Sequence, residues 1–130
     1  MPKSETEFKK KLTKEQYKVL REKGTEIPFT SELLHNKERG IYACTACSQV
    51  LFASGAKFDS GTGWPSFDKP ANIKNISLKE DTSQGMHRIE VMCKKCKSHL
   101  GHVFKDGPTP TSQRFCINGC ALNFKKKERG

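Results

Sequence analysis

Six cysteines and two close histidines carry most of the chemistry available to this 130-residue chain. Four cysteines form two C-x-x-C units, Cys44-Thr45-Ala46-Cys47 and Cys93-Lys94-Lys95-Cys96. A two-residue spacer lets both sulfurs of a unit reach one ion from a tight turn, and two units supply the four thiolates of a closed, tetrahedral structural zinc site. The units stand 45 residues apart, positions 48 to 92, so the ion is expected to clamp distant parts of the fold. Buried free cysteines and a redox C-x-x-C pair are the competing readings of either unit alone. Cys93, Cys96, His99 and His102, at three-residue steps, form a rival ligand set, but one that leaves the first pair unused. A four-cysteine site has no open position for substrate, so this metal holds structure only.

Cys116 and Cys120 remain. Cys116 lies in Arg114-Phe115-Cys116-Ile117-Asn118. In an extended segment Arg114, Cys116 and Asn118 share one face. A free thiol is mostly protonated at neutral pH, so a reactive one needs a cation or base nearby. Arg114 supplies the first. His99 and His102 can exchange protons near neutrality. On a regular strand they would point to opposite faces, and Gly101 between them permits a bend that reunites them. Trp64, the only tryptophan, follows Gly61-Thr62-Gly63 and precedes Pro65, a rigid turn on which an indole offers a flat apolar wall to a small substrate group, a plain core tryptophan being the other reading.

Other elements must position these residues. Thr13 with Gln16 predicts a capping box opening a helix that Gly24 ends. Leu12 and Tyr17 are placed for a hydrophobic staple. A second short helix is expected over Glu32 to His35 behind Ser31. From Gly40 onward, short strands alternate with turn signals: Ile41 to Ala43, Val50 to Phe52, Asn72 to Leu78, His87 to Met92, Leu100 to Phe104, Arg114 to Ile117 and Ala121 to Phe124. His87, Ile89 and Val91 alternate with Arg88, Glu90 and Met92, as on a strand with two different faces. The expectation is a mainly β, mostly antiparallel single domain over 13–124, with a loose segment 1–12 and a basic tail 125–130.

Composition narrows the class. No run approaches the roughly 18 apolar residues of a membrane span, and Met1-Pro2-Lys3-Ser4-Glu5 offers no signal core, so a cytoplasmic protein with reduced thiols is expected. The net charge of +10 comes from 24 basic and 14 acidic residues, much of the excess in Lys9 to Lys11 and Lys125 to Lys127. Those runs lack the interleaved aromatic residues of a stacking platform. Nucleic acid is therefore not the expected partner, and a zinc-stabilised nucleic-acid-binding module is the alternative reading.

Several stretches together resemble the methionine-R-sulfoxide reductases of the B type. They are Thr25-Glu26 with Pro28-Phe29, Phe58 to Phe67, Ser98 to Pro108, and Arg114 to Asn118. The resemblance runs from Thr25 to Phe124, and the two C-x-x-C pairs resemble the zinc-bearing members. It implies a β-tent of two antiparallel sheets with N-terminal helices and one structural zinc. It implies that Cys116 attacks the sulfoxide sulfur of free or protein-bound methionine-R-sulfoxide and becomes a sulfenic acid. His99 and His102 would protonate the departing oxygen, Arg114 and Asn118 would orient substrate and thiol, and Trp64 and Phe67 would hold the substrate. Thioredoxin would supply electrons to a monomeric enzyme.

The chain departs from that family's commoner pattern where Thr62 replaces a recycling cysteine and Gly119-Cys120 replaces serine and alanine. Four extended residues span ~13 Å, beyond the about 7 Å that disulfide Cα atoms allow. A turn at Asn118-Gly119 would shorten that distance. Cys120 is thus either a resolving thiol or a small packed residue, with direct reduction of the sulfenic acid as the other recycling route.

Overall fold

Helix α2 (Lys14–Glu22) begins with the expected capping box. Gln16 N–H donates to Thr13 Oγ1 at 3.1 Å, and Gln16 Oε1 accepts from Thr13 N–H at 3.0 Å. The left-handed residue at its end is Lys23 (φ 57°), not Gly24. Gly24 is still required, because a Cβ there would come within 2.9 Å of the Lys18 carbonyl oxygen. The computed structural model describes residues 4–82, 85, 87–107 and 109–126. Residues 1–3 of the segment expected to be loose, Pro108 of the resemblance motif and residues 127–130 of the tail lie outside them.

Most of the described part of the segment expected to be loose is helical. Ser4 caps helix α1 (Glu5–Lys11), which buries Phe8. Seven residues make a marginal helix alone. Docking stabilises it: Arg21 of α2 stacks over Phe8, 4.0 Å from the ring centre, and pairs with Glu5. Leu12 behind it is buried too. The helix expected over Glu32 to His35 is instead a turn, in which Ser31 Oγ accepts from Leu33 N–H and Ser31 O from Leu34 N–H.

Among the described residues nine strands form two antiparallel sheets. The smaller has the order β2-β1-β9, with β1 Gly40–Cys44, β2 Val50–Ala53 and β9 Leu122–Lys126. The larger has the order β3-β4-β8-β7-β6-β5, with β3 Lys57–Phe58, β4 Ser66–Phe67, β5 Ile76–Asp81, β6 Arg88–Cys93, β7 His99–Phe104 and β8 Arg114–Ile117. Two-residue β3 and β4 carry too little pattern to be read from sequence. Lys125 and Lys126 of the expected tail extend β9, opposite Ile41 and Gly40. The segment before β5 starts as a single 3₁₀ turn, Ile73–Asn75, so that strand begins later than expected.

Aromatic contacts seal one sheet to the other. Phe67 stacks on Phe52 at 4.4 Å and meets Tyr42 edge-on at 5.1 Å, while Phe115 lies 5.8 Å from Phe52. Phe67 is fully buried. It is a core residue, and the expectation that it holds substrate is corrected: on β4 it points opposite to the face on which Cys116 opens. No described helix is long and apolar enough to cross a membrane.

Candidate active site and metal centre

The two C-x-x-C units form matching knuckles. In the first, Cys44 N–H donates to Gln49 O (2.8 Å) and Ser48 N–H to Cys44 O (2.8 Å), with Ser48 at φ 68°. In the second, Cys93 N–H donates to Ser98 O (2.9 Å) and Lys97 N–H to Cys93 O (2.8 Å), with Lys97 at φ 63°. The first knuckle joins β1 to β2 and the second joins β6 to β7, so the four sulfurs meet between the sheets. All four cysteines are buried, with Sγ atoms mutually within 4.8 Å. Cys44 and Cys96 are 3.7 Å apart, Cys47 and Cys93 3.5 Å. Tetrahedral thiolate coordination with bonds of about 2.3 Å places sulfurs about 3.8 Å apart, so the arrangement fits a metal ion. The rival set falls away, because His99 and His102 are not in this cluster.

The N-terminal helices brace this centre. Lys11 Nζ donates to Ala46 O at 2.8 Å in one knuckle, and Arg21 donates to Cys96 O at 2.7 Å in the other. Both cations lie where a four-thiolate site concentrates negative charge.

A cavity of about 260 Å³ opens on the other face of the large sheet, lined by Cys116, His99, His102, Trp64, Arg114, Asn118, Thr25, Thr62, Arg88, Gly101 and Phe104. This is small for a ligand pocket, where about 300 Å³ or more is usual, and suits a single side chain. Cys116 on β8 is in register with Ser66 of β4 and His102 of β7. Phe115 and Ile117 turn to the core while Arg114 and Cys116 face the cavity, the alternation expected of an extended segment.

A β-bulge reunites the histidines. Val91 pairs with Gly101 and Met92 with His99, so Leu100 is an extra residue in β7. One inserted residue reverses the facing, and the rings of His99 and His102 lie 5.4 Å apart. Gly101 is needed for a different reason than a bend. A Cβ there would sit 2.1 Å from Cys116 O, so only glycine lets β8 come this close. Asn118 fastens the bulge: its backbone N–H and its Nδ2 both donate to Leu100 O at 2.9 Å.

Each imidazole rests on a carboxylate. His99 Nδ1 donates to Glu90 Oε2 at 2.8 Å, and His102 Nε2 donates to Asp81 Oδ2 at 2.8 Å. A carboxylate accepts only, so these contacts leave Nε2 of His99 and Nδ1 of His102 as the remaining ring nitrogens. Glu90 is 1% exposed, with Lys23 Nζ 3.2 Å from its Oε1. Burial lowers the His99 pKa, against the raising effect of Glu90; its imidazole is neutral at neutral pH. Sequence reasoning missed Glu90 and Asp81. Alternation on β6 correctly signalled two faces, and it is Glu90's face that becomes the floor beneath His99.

Burial raises the Cys116 pKa, outweighing the lowering by Thr62, Arg114 and Ser66. The resting thiol keeps its proton. Thr62 Oγ1 lies 3.6 Å from Cys116 Sγ, at the end of a hydroxyl chain through Ser60 to Ser66 with 2.7 Å links. Arg114 is held by a two-pronged contact to Asp106 (2.8 and 3.0 Å) and stacks on Phe104.

Glu26 is a third residue that sequence reasoning left without a role. Its carbonyl accepts from Trp64 Nε1 (2.9 Å) and its N–H donates to Asn118 Oδ1 (2.9 Å). Its buried carboxylate accepts from Gly119 and Cys120 N–H at 2.8 and 3.1 Å. Cys120 sits in the 3₁₀ turn Gly119–Ala121 that follows β8 and opens into a separate depression beside Glu26 and Glu15. Burial and those two carboxylates push its thiol up to about 12.

A cysteine thus stands beside two carboxylate-backed imidazoles and an indole in a cavity sized for a side chain, apart from a buried four-cysteine cluster that could hold a metal ion. A family model described as the SelR domain matches residues 12–126. A protein of Methanosarcina barkeri named peptide methionine sulfoxide reductase MsrB is 61% identical over 128 residues, covering 98% of this chain and 90% of its own. Proteins of the same name from Methanosarcina mazei and Leptospira interrogans are 59% identical over 126 residues and 51% over 125. They cover 97% and 96% of this chain, and 90% and 95% of their own lengths. The chain belongs to the SelR domain family.

Proposed function

We propose that the protein is a peptide-methionine (R)-S-oxide reductase that converts methionine-R-sulfoxide, free or in a polypeptide, to methionine. The observation that carries this reading is the convergence of Cys116, His99, His102 and Trp64 on one cavity. Trp64 offers an apolar wall to the S-methyl group, and its indole is locked by the Glu26 carbonyl. Cys116 sulfur attacks the sulfoxide sulfur. In the net step one S–O bond breaks in the substrate and one forms on Cys116. The substrate sulfur is reduced by two electrons and the cysteine sulfur oxidised by two, giving methionine and a sulfenic acid. The proton that burial keeps on the resting thiol ends on the transferred oxygen, with His99 and His102 as its carriers. Glu90 and Asp81 fix the ring orientations and stabilise the cationic imidazole formed in passage. Arg114 and Asn118 position the thiol strand and the cavity wall.

Recycling then consumes two thiols. The first displaces water from the sulfenic acid and leaves a mixed disulfide; the second releases Cys116 and takes the disulfide away. A dithiol protein such as thioredoxin supplies both. Thr62 occupies the place beside Cys116 from which a recycling cysteine would act, and Cys120 opens elsewhere with a thiol held protonated, so neither serves. Zinc is the ion that four buried thiolates fit best. Cys44, Cys47, Cys93 and Cys96 would hold it, and it would supply only a crosslink between the sheets.

Cys116→Ser tests the assignment. Reduction of the R epimer is expected to fall below detection, with the S epimer untouched by either protein. A Cys116→Ser protein as active as the parent on the R epimer would sink the reading.

A further inference from the structure

Two large apolar side chains stand in water beside the cavity, and a bent backbone holds them there. Among the described residues only four large hydrophobics are exposed, and Ile27 (71%) and Phe29 (67%) are two of them. Both lie on one strap. Its first anchor is the Glu26 carbonyl, which accepts the Trp64 indole N–H. Its second is Phe29 N–H, which donates to Gly63 O at 2.7 Å. The strap lies so close to the Trp64 turn that a Cβ on Gly63 would meet Pro28 Cβ at 2.7 Å and the Phe29 ring at 2.9 Å. The rim is therefore continuous with the wall that receives the methyl group.

Phe29 has φ 67°. A bulky residue in the left-handed region is a costly choice that persists where surrounding structure imposes it, commonly at binding sites. Here the result is a largely exposed ring lying against Gly63, the residue before the Trp64 that lines the cavity. The cavity itself has room for one side chain, so the neighbours of an oxidised methionine in a polypeptide must lie outside it, on this rim.

We propose that Ile27 and Phe29 form a docking surface for apolar side chains flanking the oxidised methionine in an extended polypeptide, and so set the sequence preference of the enzyme. This rests on the proposed reductase reading and adds to it the chemistry of the preferred substrate.

Two peptides test it, acetyl-Ser-Leu-Met(R-sulfoxide)-Leu-Ser-amide and the same peptide with serine in place of both leucines, with free methionine-R-sulfoxide as reference. The parent enzyme is expected to favour the leucine peptide by about tenfold in kcat/KM, the effect of partly burying two apolar side chains. In the double variant Ile27→Ser/Phe29→Asn, where asparagine tolerates positive φ, the preference should fall to within about twofold. Phe29→Leu should restore part of it. No preference in the parent, a preference unchanged in the variant, or an equal loss with both peptides and the free amino acid would each overturn the proposal. If the parent reduced no sulfoxide, the reductase reading would fall instead. Quenching of the single Trp64 by the unoxidised peptides would then decide the surface, tighter binding of the leucine peptide supporting it and equal binding refuting it.

Discussion

Replacing Glu90 with glutamine should slow the chemical step without loosening substrate. The carboxylate is 1% exposed, so solvent screening does not blunt its effect. It accepts from His99 Nδ1 at 2.8 Å. A hydrogen bond to a charged acceptor contributes about 1.5–3 kcal/mol and a neutral one about 0.5–1.5 kcal/mol. The difference, about 1–1.5 kcal/mol, acts when His99 becomes cationic, and each ~1.4 kcal/mol is tenfold in rate. Glu90→Gln should therefore lower kcat roughly five- to tenfold with KM little changed. Glu90→Ala also strands a buried ring nitrogen, at about 1–3 kcal/mol more, and should cost about a hundredfold. The pH profile gives an independent sign. Burial lowers the His99 pKa, Glu90 raises it, and His102 and Lys23 lower it. Removing the Glu90 charge leaves only the lowering influences. The limb of the single-turnover profile that reports His99 protonation should move to lower pH. Rapid-quench measurement of methionine formation from pH 5 to 9, with a circular-dichroism melt to verify folding, makes the comparison. A Glu90→Gln enzyme within twofold of the parent rate, with its acid limb in place, would refute the carboxylate's role.

Two further outcomes follow from the geometry. Structural zinc sites contribute about 10–16 kcal/mol on folding, against a total stability of about 5–15 kcal/mol, so Cys44→Ala or chelation should unfold the domain; plasma mass spectrometry should find one zinc per chain, and an unchanged melt in metal-free protein would remove the centre's assigned role. Thr62→Cys places a second sulfur near the point now 3.6 Å from Cys116 Sγ, so one equivalent of substrate should yield an intramolecular disulfide in place of the parent's sulfenic acid, as read by intact mass; a persistent sulfenic acid would show that the loop holds position 62 out of reach.

The four-cysteine cluster was legible because its logic is local: two sulfurs three residues apart on a turn already converge, and four thiols in two such pairs have few other uses. The capping box at Thr13 and the alternation around Cys116 were legible for the same reason, since both depend on neighbours within a turn or a strand. Helix α1 was missed although Ser4, three residues before Glu7, is a capping signal, because seven residues are too few to hold a helix without the contact of Phe8 with Arg21. Phe67 was misread because proximity in sequence to Trp64 says nothing about which side of a two-residue strand faces the core.

Residue types and short spacings alone determined that this chain carries two cysteine pairs able to share one ion, a separate arginine-flanked thiol and two histidines close by in sequence. Only the tertiary structure decided that the histidines share a face, through one extra residue at Leu100, and that Glu90, Asp81 and Glu26 stand behind the site. Acidic side chains on an alternating strand read as solvated until another strand, a helix end and a loop close over them. That closure comes from contacts between residues far apart in the chain, and spacing along the chain does not encode which of them will meet.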